Sequence, residues 1–154
     1  MNVARQRSRR IGRTAEARTR SAADYSITTT LSAVPDPLKS PIDKRAKQFA
    51  IRIVKLYHYL VEVRHEKVLS KQVLRSGTSI GANVAEGLFG ASRADFINKY
   101  IIALKEANET RYWLELLSET NYLPSNDATD SLLAECKSII AILATSVKTA
   151  KGEK

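Results

Sequence analysis

The sequence predicts an all-α protein, an antiparallel up-down-up-down four-helix bundle preceded by a disordered basic N-terminal tail. Four segments repeat their apolar residues at spacings of three and four, the mark of amphipathic helices. No segment alternates apolar and polar residues as a half-buried strand would. Only short polar turns separate the four segments, and helices of similar length joined that way pack best antiparallel to their neighbours.

Residues 1–39 stand outside this pattern. Their Arg, Ser and Thr content, followed by "VPDPLKSP", predicts a tail and linker, with at most a transient helix over residues 11–20. Residues 40–150 are predicted to form the bundle. Ser40 suits an N-cap, Pro41 the first helical position, and Asp43 lies three residues after the cap. Phe49, Ile53, Leu56, Leu60 and Val63 then make one apolar stripe on a first helix, and "RHEK" reads as a polar turn. The second helix carries Leu69, Val73, Ile80 and Val84. "SRAD" repeats the capping grammar with Ser92 and Asp95, and opens a third helix running to about Thr120. Phe96, Tyr100, Leu104, Ala107, Leu114 and Leu117 mark its inner face. "NYLPSND" ends it and caps a fourth helix, striped by Leu132, Cys136, Ile139, Ile140, Leu143 and Val147.

Charge is the strongest compositional signal. The net charge is +9. Residues 1–41 contribute +5, from seven Arg and one Lys against Glu16, Asp24 and Asp36, and residues 42–154 contribute +4. A basic arm can bind nucleic acid by neutralising phosphates and releasing counterions, and it can equally be a solvated extension or an over-long start to the reading frame. No apolar run is long enough to span a membrane, and no apolar segment of signal-peptide length follows the Arg-rich start. Cytoplasm is the expected compartment. Cys136 is the single cysteine, which leaves no disulfide within one chain and no cysteine-ligated metal site.

The string "RSGTSIGANVAEG", Arg75 to Gly87, holds three glycines in a helical context. A phosphate-binding loop would need a strand before it and a GK[ST] sequence in it; neither is present. In a helix Gly77, Gly81 and Ala85 stand four apart beside the ridge of Ile80 and Val84, a groove that lets a neighbouring helix come close. Ser76 and Asn83 fall at the edge of the apolar arc. Asn83 is expected to bond across to the third helix, where Glu106, Asn108 and Glu109 offer partners, as a contact that fixes register.

That string, followed by "SRADFINKYIIALKEANETRYWLELL", resembles a bacterial four-helix-bundle family first met as proteins encoded in intervening sequences of 23S ribosomal RNA genes. The resemblance spans roughly residues 42–147. It rests on Arg75, Ser76, Ser79, Ile80, Asn83 and Glu86, and on Ser92, Asp95, Phe96, Ala103, Glu106, Glu109 and Leu114. It implies an antiparallel bundle assembled as a ring-like homopentamer. It also implies distant kinship with accessory proteins of diversity-generating retroelements, which bind a reverse transcriptase and nucleic acid. The ribosomal label records gene location more than function.

No enzyme chemistry is expected. "EVRH" supplies one Glu62-x-x-His65 pair, but a di-iron bundle needs a second, and His58 has Lys55 three positions before it. Ser76 and Ser79 have no base in their motif, and Cys136 reads as a small buried hydrophobe. No cofactor and no metal are expected. Two functions remain. One is a nucleic-acid-binding accessory factor for RNA or DNA. Its candidate phosphate contacts are Arg5, Arg7, Arg9, Arg10 and Arg13 in the tail and Lys71, Arg75, Lys99, Lys105 and Arg111 on the bundle. Tyr57, Tyr59, Tyr112 and Trp113 are candidate stacking aromatics, with core or interface packing as the competing role of each. The other function is a scaffold that docks a protein partner, its charge serving solubility. In "RYWLELL" apolar residues lie around more than one side of the third helix, which predicts self-association.

Overall fold

The structure, a computed structural model, describes residues 42–153. Four helices follow in order: α1 (Ile42–Glu62), α2 (Leu69–Leu88), α3 (Arg93–Glu119) and α4 (Asp127–Lys151). There is no strand among the described residues, and none of their helices is long and apolar enough to cross a membrane. The Ser40 cap, Pro41 and the arginines of residues 1–39 lie outside the described residues.

The predicted stripes meet in one core. Phe49, Ile53 and Leu60 of α1, Val73, Ile80 and Val84 of α2, Leu114 and Leu117 of α3, and Cys136, Ile139 and Leu143 of α4 are fully buried. Leu69, Phe96, Leu104 and Ile140 sit only half-buried at its margin, and Val63 falls in the turn after α1, outside the core, while Ala103 takes a fully buried place. Small residues on α3 bring its axis closer to its neighbours than a large side chain would allow.

Each helix packs on the next, α2 most extensively against α3 and α1. The α1–α4 seam is the slightest of the four and is polar. There Arg45, 2% exposed, places its guanidinium 3.0 Å from Glu135 and donates to the Ser138 hydroxyl at 2.9 Å. Arg52 donates to Ser131 Oγ at 3.2 Å. Since Arg45, in the first turn of α1, already meets Glu135 and Ser138, α4 runs on for about three more turns past the level of Ile42. Its end lies instead beside the start of α3, where Arg93 Nε donates to the Ala150 carbonyl at 2.7 Å.

The helix ends are capped as local chemistry requires. Ser92 Oγ accepts from Asp95 N at 3.1 Å and Asn126 Oδ1 from Thr129 N at 3.0 Å. The polar turn before α2 does more than turn. Glu66, 8% exposed, accepts hydrogen bonds from the backbone N–H groups of Val68, Leu69 and Ser70, closing the head of a helix whose own N-cap, Val68, has no acceptor. α4 ends at Gly152 in the left-handed conformation, φ 77°, which a residue with a side chain rarely adopts.

Candidate nucleic-acid interface

The segment Arg75–Gly87 is uninterrupted helix within α2. Its glycines face two neighbours. A Cβ on Gly77 would stand 2.8 Å from Ile53 Cγ1 and one on Gly81 would stand 3.4 Å from the Ala46 carbonyl, so both look onto α1. A Cβ on Gly87 would meet the Tyr100 ring of α3 at 2.9 Å. Ala85, expected to extend the groove, is exposed instead.

The polar residues of the same string build the α2–α3 seam, but not as expected. Asn83 does not reach α3; its amide donates to the Ser79 carbonyl of its own helix at 2.9 Å, because that acceptor lies one turn back on the same side. Ser79 likewise donates to Arg75 O at 2.7 Å. The cross-helix contact is made by Ser76, which is fully buried rather than at the edge, with its hydroxyl 3.0 Å from that of buried Thr110. Beside it the Arg75 guanidinium donates to Glu109, whose same oxygen accepts the Trp113 indole N–H at 3.2 Å. Glu106 stands 3.9 Å from Arg75, and Glu86 pairs with Lys99 further along. The motif carboxylates are therefore the counter-charges of the motif cations.

That pairing changes the list of candidate phosphate contacts. Arg75 and Lys99 are held by Glu109 and Glu86, and Arg111 lies 4.0 Å from Glu115. Lys71 and Lys105 are exposed, without an ion pair among the described residues. Of the aromatics, Trp113 and Tyr59 pack against the core, Tyr57 is half-buried, and Tyr112 is 56% exposed, edge-on to Trp113. Glu62 has no ion pair with His65; His58 Nδ1 lies 3.4 Å from its carboxylate, while His65 stands beyond the end of α1 in the left-handed region, φ 55°.

Charge is sorted between the two ends of the bundle. One end gathers the start of α1, the end of α2, the start of α3 and the end of α4. Across the two terminal turns of each helix there, with the adjoining residues, seven cations (Lys44, Arg45, Lys47, Arg93, Lys99, Lys148, Lys151) stand among four carboxylates (Asp43, Glu86, Asp95, Glu153). At the other end, four cations (Arg64, Lys67, Lys71, Arg75) stand among six carboxylates (Glu62, Glu66, Glu115, Glu119, Asp127, Asp130). Lys44, Lys47 and Lys148 are exposed and carry no ion pair among the described residues. The net +5 of residues 1–41 joins the bundle at this basic end, through Ile42.

The sequence reading missed these three lysines and one aromatic, Phe89, which is 90% exposed on the α2–α3 turn. A signal for Phe89 existed: in "GLFGAS" it lies past the last residue of the α2 stripe, where no helix face needs it.

A family model described as 23S rRNA-intervening sequence protein matches residues 39–145. Among solved structures, a protein with unknown function from the S23 ribosomal protein family of Bacteroides thetaiotaomicron VPI-5482 is similar at 50% sequence identity and a TM-score of 0.68. The match covers 70% of this chain and 99% of that one. No curated protein matches the chain.

Proposed function

The chain belongs to the 23S rRNA-intervening sequence protein family, and we propose that it is a non-enzymatic, oligomeric accessory factor that binds RNA or DNA. The observation that carries this reading is the sorting of charge. Cations outnumber carboxylates at the bundle end to which the arginine-rich residues are joined, and carboxylates outnumber cations at the opposite end. A polyanion is drawn to such a molecule end-on, by counterion release from each neutralised phosphate. The paired cations Arg75, Lys99 and Arg111 have a smaller part in it, because a phosphate must compete with the carboxylate each already faces.

The oligomer is proposed as a homopentamer in the cytoplasm. The pentamer follows the family resemblance, and apolar side chains left in the open support self-association: Ile51 (41%) and Val54 (39%) on α1 and Tyr112 (56%) on α3. Light scattering is expected to give a mass about five times that of the 17.1 kDa chain; a monomer at micromolar concentration would overturn it. Filter binding at low salt tests the function. Retention of labelled RNA or DNA that fades as salt rises is expected. If the full-length protein retains neither, the protein-docking scaffold becomes the better reading.

A further inference from the structure

We infer that the tip of the α2–α3 turn is a base-stacking site, where Phe89 takes an unpaired base of a single-stranded nucleic acid while the cations of the same end of the bundle hold the phosphates of the strand around it. The inference rests on the nucleic-acid reading above and assigns it a place and a substrate form.

Phe89 is the most exposed large apolar side chain among the described residues, at 90%, with Leu88 beside it at 51%. A phenylalanine held this far into solvent gives up the burial that makes the residue useful in a fold. Nor is it displayed by a slack loop. Its N–H bonds to the Glu86 carbonyl at 3.2 Å, and the Gly90 N–H bonds to Gly87 O at 3.1 Å. On one side Gly87 lies flush against the Tyr100 ring; on the other, a Cβ at Gly90 would meet Asp95 Oδ2 at 3.0 Å. Asp95 in turn accepts from Ala91 N at 3.3 Å while its own N–H is capped by Ser92. The backbone is pinned before and after Phe89, so the ring stands on a preorganised support and loses little freedom when something covers it.

Charge complementarity chooses the occupant. Gly81 approaches the α1 backbone at Ala46 and Lys47, which sets the start of α1 beside the end of α2. Phe89 lies eight residues further on, about 12 Å along the axis, which carries it past the level of Lys44 to that of the overhanging end of α4, at the basic end of the bundle. One isolated aromatic at an end where seven cations stand among four carboxylates suits a base within a strand of phosphates. A protein groove or an acyl chain would call for a broad apolar patch, and here Leu88 is the single large apolar neighbour left in the open on the turn. Bases inside a duplex are already stacked on each other, so the site selects a single strand.

Fluorescence anisotropy with the full-length protein tests this, using a labelled unstructured pyrimidine oligonucleotide, as RNA and as DNA, and a duplex of the same length. Phe89→Ala is expected to weaken single-strand binding on the order of tenfold and leave duplex binding, melting temperature and oligomeric mass unchanged. Phe89→Trp and Phe89→Tyr are expected to retain the affinity. The RNA and DNA arms show which strand is preferred. If Phe89→Ala leaves single-strand binding unchanged while the triple variant Lys44→Ala, Lys47→Ala, Lys148→Ala weakens it, the stacking site is wrong and the basic-end reading stands. An equal loss on duplex, or a change of oligomeric mass, also overturns the site, the latter by making Phe89 a contact between copies. Absence of all binding by the wild type removes the functional reading itself, and this site with it.

Discussion

Gly77 and Gly81 stand one turn apart on one face of α2, and the sequence treats them alike. The structure does not. At Gly77 the space for a Cβ is taken by Ile53, whose branched side chain is fully buried and has no freedom to move aside. At Gly81 the nearest atom, the Ala46 carbonyl, is at an ordinary contact distance of 3.4 Å. Replacing a helical glycine with alanine gains about 1 kcal/mol of propensity, and overpacking costs about 1–3 kcal/mol. Gly81→Ala should therefore raise the melting temperature by a few degrees, whereas Gly77→Ala should lower it. Equal stabilisation by both would show that Ile53 does not confine the site. Cys136 offers a second check at this scale. Burial pushes its thiol up to about 12, so iodoacetamide at pH 8 should leave the folded protein unlabelled and label it once denaturant is added. The burial of Cys136 was legible from its place in an apolar stripe. The partner of Asn83 was not, because the choice between its own helix carbonyl and a neighbouring helix depends on a rotamer.

Helix ends divide in the same way. Ser92 and Asn126 cap from the N-cap position, so the familiar residue types disclosed them. Glu66 caps α2 from two residues before the N-cap, behind an exposed Val68, and so the string "RHEK" read as a turn and nothing more. Its consequence is a pH dependence. Burial alone would push the Glu66 carboxyl up, but the N–H groups of Leu69, Val68 and Ser70, with the Ser70 hydroxyl, outweigh it and hold the group below its usual value. A carboxylate whose folded value is depressed contributes stability above its unfolded pKa of about 4.3, and that contribution fades as pH falls through the lower, folded value. Glu66→Ala should cost about 0.5–2 kcal/mol at pH 7, as loss of a capping group does. Urea unfolding of wild type and variant at pH 7 and at pH 3 checks it: the gap should narrow in acid, and a gap independent of pH would show that the charge does not matter.

At the scale of the molecule, the four-helix architecture was legible because each stripe and turn is a local pattern. The sorting of charge was not, because it exists only once antiparallel packing brings Lys44 and Lys47 of α1 to the same end as Lys148 of α4. The sequence alone therefore places the bundle contacts on Lys71, Arg75, Lys99, Lys105 and Arg111, of which Arg75, Lys99 and Arg111 face carboxylates in the fold. Salt dependence separates the two placements. On a single strand each neutralised phosphate adds about −0.7 to the slope of log K against log salt. Deleting residues 1–39 removes seven arginines and Lys39, and should flatten the slope by several units if that segment binds. Adding Lys44→Ala, Lys47→Ala and Lys148→Ala to the deletion should flatten it by roughly two more. Arg75→Ala, by contrast, should leave the slope nearly unchanged and lower stability, since it strips Glu109 of its cation and leaves Glu106 without a near neighbour of opposite charge. If Arg75→Ala flattens the slope while the three lysines do not, nucleic acid lies along the α2–α3 wall, and the polarity of the bundle serves to orient the protein rather than to hold its ligand.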